Sequence, residues 1–261
     1  MRITVLGSGT SQGVPVIACN CEVCRSGDQR DKRLRCAILV EEGDTTLLVD
    51  AGPDFRQQML RHNVSNLDAV LLTHEHADHI FGLDDIRSFN WIRKSPMDIY
   101  CESRVAENLK TIFNYAFAEN RYPGTPQMEL IPIHDKPFHV KGVKVIPIRL
   151  YHHKLPVYGF RFGKFAYLTD FNRIEPEELI KLEGVEVLII CALRKHTHIS
   201  HLNLSEALIL ATLISPQRTY LTHMSHEMGF HAELLEILPV GVEPAFDGLI
   251  IEMGSDKAIL R

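Results

Sequence analysis

The densest chemistry in this chain of 261 residues lies in Thr73-His74-Glu75-His76-Ala77-Asp78-His79. Three imidazoles and two carboxylates crowd together just after the apolar run Ala69-Val70-Leu71-Leu72 and before a helix-compatible stretch at 82–87. A rigid strand end fixes the direction of each side chain that leaves it. Ligands one residue apart can then converge on one ion, whereas Asp78 and His79 can turn toward a second. Neutral imidazole and carboxylate suit Zn(II), Mn(II) or Fe(II). Two such ions roughly 3.5–4 Å apart can share a hydroxide drawn from water whose pKa falls to about 7, and can clamp both oxygens of a displacement at phosphorus.

A second cluster, Cys19-Asn20-Cys21-Glu22-Val23-Cys24, carries soft ligands at a spacing that suits a tight loop around one tetrahedral zinc, with Zn–S distances of roughly 2.3 Å. A fourth ligand is required, and His226 is the candidate, three residues beyond His223 in Thr222-His223-Met224-Ser225-His226. The odd number of clustered thiols argues against a disulfide. Cys36, Cys101 and Cys191 stand apart in apolar surroundings and are expected to pack as buried free thiols.

Elements must bring these groups together. β-branched and leucine-rich runs predict strands at 3–6, 37–40, 46–49, 69–73, 143–150, 165–169, 185–190 and 218–222. Helical patterns fall at 54–62, 105–117, 176–182, 204–214 and 232–238, the fourth with Asn203 and Glu206 placed as a capping box. Several predicted strands end directly in candidate ligands: Leu48-Val49-Asp50, Leu72-Thr73-His74, Leu168-Thr169-Asp170 and Leu221-Thr222-His223. Strand ends of this kind would feed one edge of a sheet. Residues 120–126 read as an exposed loop, and the chain is expected to form a single domain over 1–261 with one core built from two similar halves.

Composition bounds the partners. A net charge of −5 and a pI near 6.3 give no broad cationic surface for long nucleic acid, so any phosphate recognition must be local. The basic residues Arg25, Arg30, Lys32, Arg33 and Arg35 are interrupted by Asp28 and Asp31 and read as a solvated surface segment. No apolar stretch has the length of a signal or a membrane span, which points to a cytoplasmic protein with no membrane partner. A homodimer is left open.

The His-x-His-x-Asp-His run, the later His152, Asp170 and His223, and Val49-Asp50-Ala51-Gly52 together resemble the metallo-β-lactamase superfamily. The resemblance spans nearly the whole chain. It implies an α/β, four-layer αββα sandwich with His74, His76 and His152 on one metal, Asp78, His79 and His223 on another, and Asp170 between them. Asp50 would then orient a ligand imidazole through its other ring nitrogen. His153 stands beside His152, and spacing alone does not choose between them; His152 is preferred from Tyr151-His152-His153-Lys154-Leu155.

That segment, Leu6-Gly7-Ser8-Gly9-Thr10-Ser11-Gln12-Gly13-Val14-Pro15, the cysteine cluster and Leu221-Thr222-His223-Met224-Ser225-His226 are similar to the phosphoribosyl 1,2-cyclic phosphate phosphodiesterases of bacterial phosphonate breakdown. This resemblance implies a small, cyclic phosphodiester substrate and two active-site divalent ions, manganese or zinc. It also implies a structural zinc on Cys19, Cys21, Cys24 and His226. Asp78 and His201 would carry the catalytic roles, His201 as general acid, with His196 and His198 crowding the same loop. Glu75 is expected to face away from the ligands. The stretch 106–127 looks longer and more helical than in that family, where substrate-covering loops differ.

Relatives with the same ligands fit less well. A secreted β-lactamase would carry a leader and a second-site cysteine in place of Asp170. A thioesterase of the glyoxalase II type would need more helix after His223, and a tRNA 3′-end endonuclease a basic arm. The non-catalytic alternative is a carrier resembling pyrroloquinoline quinone biosynthesis protein B, whose members depart from the full His-x-His-x-Asp-His set.

Overall fold

The computed structural model describes residues 1–254. The described residues divide into two compact units, one made of Met1–Leu6, Ala37–His134 and residues 250–254, the other of Gly7–Cys36 and Asp135–Leu249. Each unit has its own sheet and its own helices.

In the first unit the strands lie in the order Ile250–Glu252, Arg2–Gly7, Ala37–Glu42, Thr45–Val49, Ala69–Leu71, Met97–Cys101 and Met128–Pro132. From Thr45–Val49 onward the neighbours are parallel, with Val49 opposite Leu71 and Leu71 opposite Tyr100. Parallel strands buried on both faces read as unbroken apolar runs, which is why these segments show little alternation. Helices Phe55–Arg61, Arg87–Arg93 and Ser103–Ile112 set Phe55, Met59, Phe89, Val105 and Leu109 against the sheet residues Leu48, Val70, Leu72 and Ile99 in one buried cluster.

The second unit orders its strands Arg173–Ile174, Val143–His152, Leu155–Phe162, Phe165–Leu168, Val187–Cys191, Arg218–Thr222 and Val242–Pro244, with Phe138–Val140 paired beside Val143–His152. Phe165–Leu168, Val187–Cys191 and Arg218–Thr222 are parallel, and Leu168, Ile190 and Leu221 lie side by side. That register brings Asp170 and His223, each two residues further on, to the same sheet edge. Helix Leu204–Ile214 packs Ala207, Leu210 and Ala211 on this sheet. Its capping box is formed as expected: Asn203 accepts from the Glu206 amide at 3.0 Å, and the Asn203 amide donates to Glu206 Oε2 at 2.9 Å.

Most expected elements are present, within a residue or two of the expected ends. Among the described residues seven strands escaped the pattern, the longest of them Met97–Cys101, Met128–Pro132 and Leu155–Phe162, as did the helix Arg87–Arg93 and the four-residue helices Glu22–Arg25 and Ala77–Ile80. Leu155–Phe162 contains Pro156 and Gly159, residues that mark a break in a sequence pattern. Gly159 is required there, because a Cβ would sit 2.6 Å from Leu168 Cδ2 and 2.9 Å from the Tyr167 carbonyl oxygen. The expected helix at 105–117 is split into Ser103–Ile112 and Asn114–Phe117, and residues 118–127 are turns and extended chain rather than helix.

Arg33 also departs from expectation. Rather than lying in a solvated segment it is 4% exposed, with Nη1 donating to Ser8 Oγ at 2.9 Å and to the Ala245 carbonyl at 2.5 Å. Cys36, Cys101 and Cys191 are buried and outside any disulfide. Among the described residues no helix is long and apolar enough to cross a membrane.

Candidate metal centre

The first unit presents one donor set where its parallel strands end. Asp50 follows Thr45–Val49 with φ +65°, a left-handed conformation that few residues other than glycine, asparagine and aspartate tolerate. Its amide donates to the Leu71 carbonyl at 2.9 Å, so the kinked backbone is held by the neighbouring strand. The carboxylate is wholly buried and accepts from the Thr73 amide at 2.9 Å and the Thr73 hydroxyl at 2.9 and 3.1 Å. It also accepts from His79 Nδ1 at 2.7 Å.

These contacts decide two tautomers. A carboxylate only accepts, so His79 carries its proton on Nδ1 and keeps Nε2 bare for a metal. The Thr73 hydroxyl spends its proton on Asp50 and therefore accepts from His74 Nδ1, 2.9 Å away. His74 is left with Nε2 bare as well. That atom lies 2.9 Å from His76 Nδ1, near the roughly 3.3 Å edge of a tetrahedron built on metal–nitrogen distances of 2.0–2.1 Å. Asp78, on the short helix Ala77–Ile80, reaches to 3.2 Å from His79 Nε2.

Close packing holds this motif in place. The Ala51 amide donates to the His79 carbonyl at 2.7 Å, and the Gly82 amide to the Ala51 carbonyl at 2.8 Å. A Cβ on Gly82 would sit 2.1 Å from the Gly52 carbonyl oxygen and 2.4 Å from Phe55 Cβ.

The second unit presents another set at its own sheet edge. Asp170 and His223 both take left-handed backbone, φ +57° and +56°. Histidine in that conformation is strained, and such strain is held where the surroundings over-determine it. Asp170 Oδ1 lies 2.5 Å from His201 Nε2 and 3.7 Å from His152 Nδ1, and its Oδ2 lies 3.7 Å from His223 Nε2. His152, Asp170 and His201 offer ligand atoms close enough together for one ion. His152 Nδ1 donates to the Ser200 carbonyl at 2.8 Å, which leaves its Nε2 bare. His153 is exposed in the turn beside it, with φ +58° and its amide on Asn172 Oδ1.

His201 is stacked on His223, ring centres 5.1 Å apart and 18° between planes. Facing a carboxylate, its Nε2 carries the proton. Its Nδ1 lies 2.9 Å from His198 Nδ1 and 3.1 Å from Ser200 Oγ. Burial pulls His201 below its ordinary pKa against the upward pull of the Asp170 hydrogen bond. Burial also lowers His152 and His198. His196 is exposed at the outer end of this loop.

The cysteine loop assembles within the second unit. Cys19, Cys21 and Cys24 Sγ lie 3.4, 3.3 and 3.6 Å from His226 Nδ1, and all four ligand atoms fall within 4.8 Å of one another. With Zn–S of roughly 2.3 Å and Zn–N of 2.0–2.1 Å, tetrahedral geometry places sulfur and nitrogen about 3.6 Å apart, so the residues fit zinc. The Cys24 amide donates to Cys21 Sγ and the Val16 amide to Cys24 Sγ, both at 3.4 Å. The Cys24 amide and His226 hold the Cys21 thiol down at about 6, whereas burial pushes Cys24 up to about 11.

Three participants were not singled out from the sequence. Thr73 was visible, since threonine precedes the donor at three strand ends, Thr73, Thr169 and Thr222. Ser200 holds His152 through its backbone carbonyl, which carries no residue-type signal, and meets His201 Nδ1 through its hydroxyl. Arg104 binds Glu75 from a distant segment.

Residues 45–224 match the β-lactamase superfamily domain. A solved structure described as a new diphosphatase from the PhnP family is 39% identical, covers 97% of both chains and superposes with a TM-score of 0.90. An octanoyltransferase of Porphyromonas gingivalis is 42% identical over 95% of this chain, which spans only 51% of that protein. Zinc-bound PqqB from Methylobacterium extorquens, 21% identical over 97% of this chain and all of its own with a TM-score of 0.75, shares the fold. The fold, the diphosphatase relative and the His and Asp groups support a metal-dependent hydrolase. With more than half of its length matched and a relative aligned end to end, the chain belongs to the metallo-β-lactamase superfamily.

Proposed function

We propose that this protein is a dinuclear metal-dependent phosphodiesterase that opens small cyclic phosphodiesters of the phosphoribosyl 1,2-cyclic phosphate or 2′,3′-cyclic nucleotide type. In this reading the ligand roles are those the family resemblance implies. His74, His76 and His152 hold one divalent ion, Asp78, His79 and His223 the other, and Asp170 both, while a structural zinc sits on Cys19, Cys21, Cys24 and His226. The observation that carries the reading is the Asp50–Thr73–His74 and Asp50–His79 network, which bares the ring nitrogen of each imidazole that a metal needs. A non-catalytic carrier has no use for so complete a set.

Bound manganese or zinc would supply a nucleophilic hydroxide near neutral pH and neutralise phosphate oxygens. The chain's own residues do the rest. Asp50 and Thr73 keep His74 and His79 in their ligating tautomers. His201 presents a proton at Nε2 for the departing sugar oxygen, while its Nδ1 lies 3.1 Å from Ser200 Oγ. The left-handed backbone at Asp170 and His223 aims both side chains off the sheet edge.

A second reading, cleavage of a diphosphate bond in a small nucleotide-like substrate, is favoured by the relative described as a diphosphatase. Both readings use the same groups at phosphorus. Because the chain spans about half of the octanoyltransferase, the acyl transfer in that name is not carried over.

The test is turnover by manganese- and zinc-loaded protein of ribose 1,2-cyclic phosphates, 2′,3′-cyclic nucleotides, dinucleotide diphosphates and bis(p-nitrophenyl) phosphate. Cyclic diesters are expected to turn over fastest, and His76→Ala to abolish all of it. Preference for diphosphates selects the second reading. No phosphate ester cleaved, with a single zinc per chain, selects the carrier.

A further inference from the structure

We infer that Glu75, the residue between the ligands His74 and His76, is a positioning residue that acts through Arg104. The inference rests on the reading of His74 and His76 as ligands of one ion. In an extended segment successive side chains point to opposite sides. His74 and His76 share one side, where His74 Nε2 and His76 Nδ1 meet at 2.9 Å. Glu75 therefore leaves on the other, and there its Oε1 accepts from Arg104 Nη1.

The surroundings make this pair more than a surface ion pair. The Glu75 side chain is 14% exposed and that of Arg104 34%. Glu75 Oε2 is buried with no hydrogen-bond partner among the described residues, so Arg104 is what compensates its charge. Removing Arg104 would leave the Glu75 carboxylate buried and uncompensated. Arg104 is itself steadied by Glu102 Oε2, 3.3 Å from its Nη2. It sits in the first turn of Ser103–Ile112, directly after Met97–Cys101, the parallel neighbour of the strand that ends in the ligand turn. The pair thus ties the segment carrying the ligands to the next strand's exit, and it fixes the angle at which the imidazoles converge.

Outer partners of metal ligands are worth roughly 10–100-fold in metal affinity. Wild type, Glu75→Ala, Glu75→Gln, Arg104→Gln and the Glu75→Ala/Arg104→Gln double variant would be titrated with cobalt(II) against a competing chelator. The absorption of nitrogen- and oxygen-ligated cobalt is read, because its bands lie apart from those of cobalt thiolates. Glu75→Ala and Arg104→Gln are each expected to weaken binding by roughly 10–100-fold and to shift those bands. The double variant should lose no more than the worse single one, since both changes remove one contact. Glu75→Gln, which still accepts from Arg104, should recover most of the affinity, and a loss of fold would not be rescued this way.

Wild-type affinity and an unchanged spectrum in Glu75→Ala overturn the inference, as do additive losses in the double variant. Wild type that takes up no such cobalt overturns the ligand reading beneath it. Should Glu75→Ala fail to melt cooperatively, Arg104→Gln, whose changed side chain is the more exposed, decides.

Discussion

Asp50 Oδ2 lies 2.7 Å from His79 Nδ1, with both side chains wholly buried. A carboxylate in this place holds the proton on Nδ1 and leaves Nε2 as the ring nitrogen that could take a metal. Asp50→Asn keeps the left-handed backbone, which asparagine tolerates, but offers an amide N–H where an acceptor is needed. It is expected to lower metal affinity or turnover by roughly 10–100-fold with little change in melting temperature. Chelator competition and steady-state turnover measure both, and wild-type values would refute the orienting role.

The loop holding His198 and His201 gives a graded expectation. His201→Ala should leave metal content intact and slow bis(p-nitrophenyl) phosphate cleavage by roughly 10²–10⁴-fold. His198→Ala, behind His201 at 2.9 Å, should cost less, and exposed His196 should be replaceable without loss. Metal analysis beside kcat separates proton donation from ligation. A His201→Ala protein that loses metal would make His201 a ligand instead.

The proposed zinc on the cysteine loop would act through folding. Cys21→Ser is expected to remove one zinc per chain and to destabilise the protein by about 4 kcal/mol, the scale reached when a structural metal is lost. Atomic absorption and urea unfolding check this. Unaltered zinc content would exclude the site.

His231 gives the pH dependence of stability a sign. Burial, with Arg33 and Arg30 nearby, lowers its pKa from 6.5 to about 4. Below 6.5 the unfolded chain takes up a proton that the folded chain refuses until pH 4. Stability is therefore complete above 6.5 and is lost as pH falls through that window, by up to roughly 3 kcal/mol. His231→Leu removes the titrating ring and keeps the backbone bond to Asp31 Oδ1 at 2.7 Å. Urea midpoints at pH 7.5 and 4.5 should fall further in wild type than in this variant, and equal falls would disprove the assignment.

Gly82→Ala tests the packing behind the ligand helix. No rotamer relieves contacts of 2.1 and 2.4 Å with the Gly52 carbonyl oxygen and Phe55 Cβ. A cost of about 1–3 kcal/mol or more is expected, with weaker metal binding as His79 is displaced from Asp50. Thermal unfolding and metal titration of the one variant would show whether both fall together.

Residue chemistry and short-range spacing were legible in the sequence. The His-x-His-x-Asp-His run, the strand-end aspartates and histidine, the cysteine loop and the Asn203–Glu206 cap all follow from neighbours along the chain, because ligand type, strand alternation and capping are local properties. What local pattern could not supply was everything decided by distant backbone. The orientation of the His152 ring depends on a carbonyl at Ser200. Arg104 reaches Glu75 from a helix on the next strand, and Arg33 is buried against Ala245 rather than solvated. Hydrogen-bond partners brought together by folding, not residue type, fix those tautomers, orientations and burials.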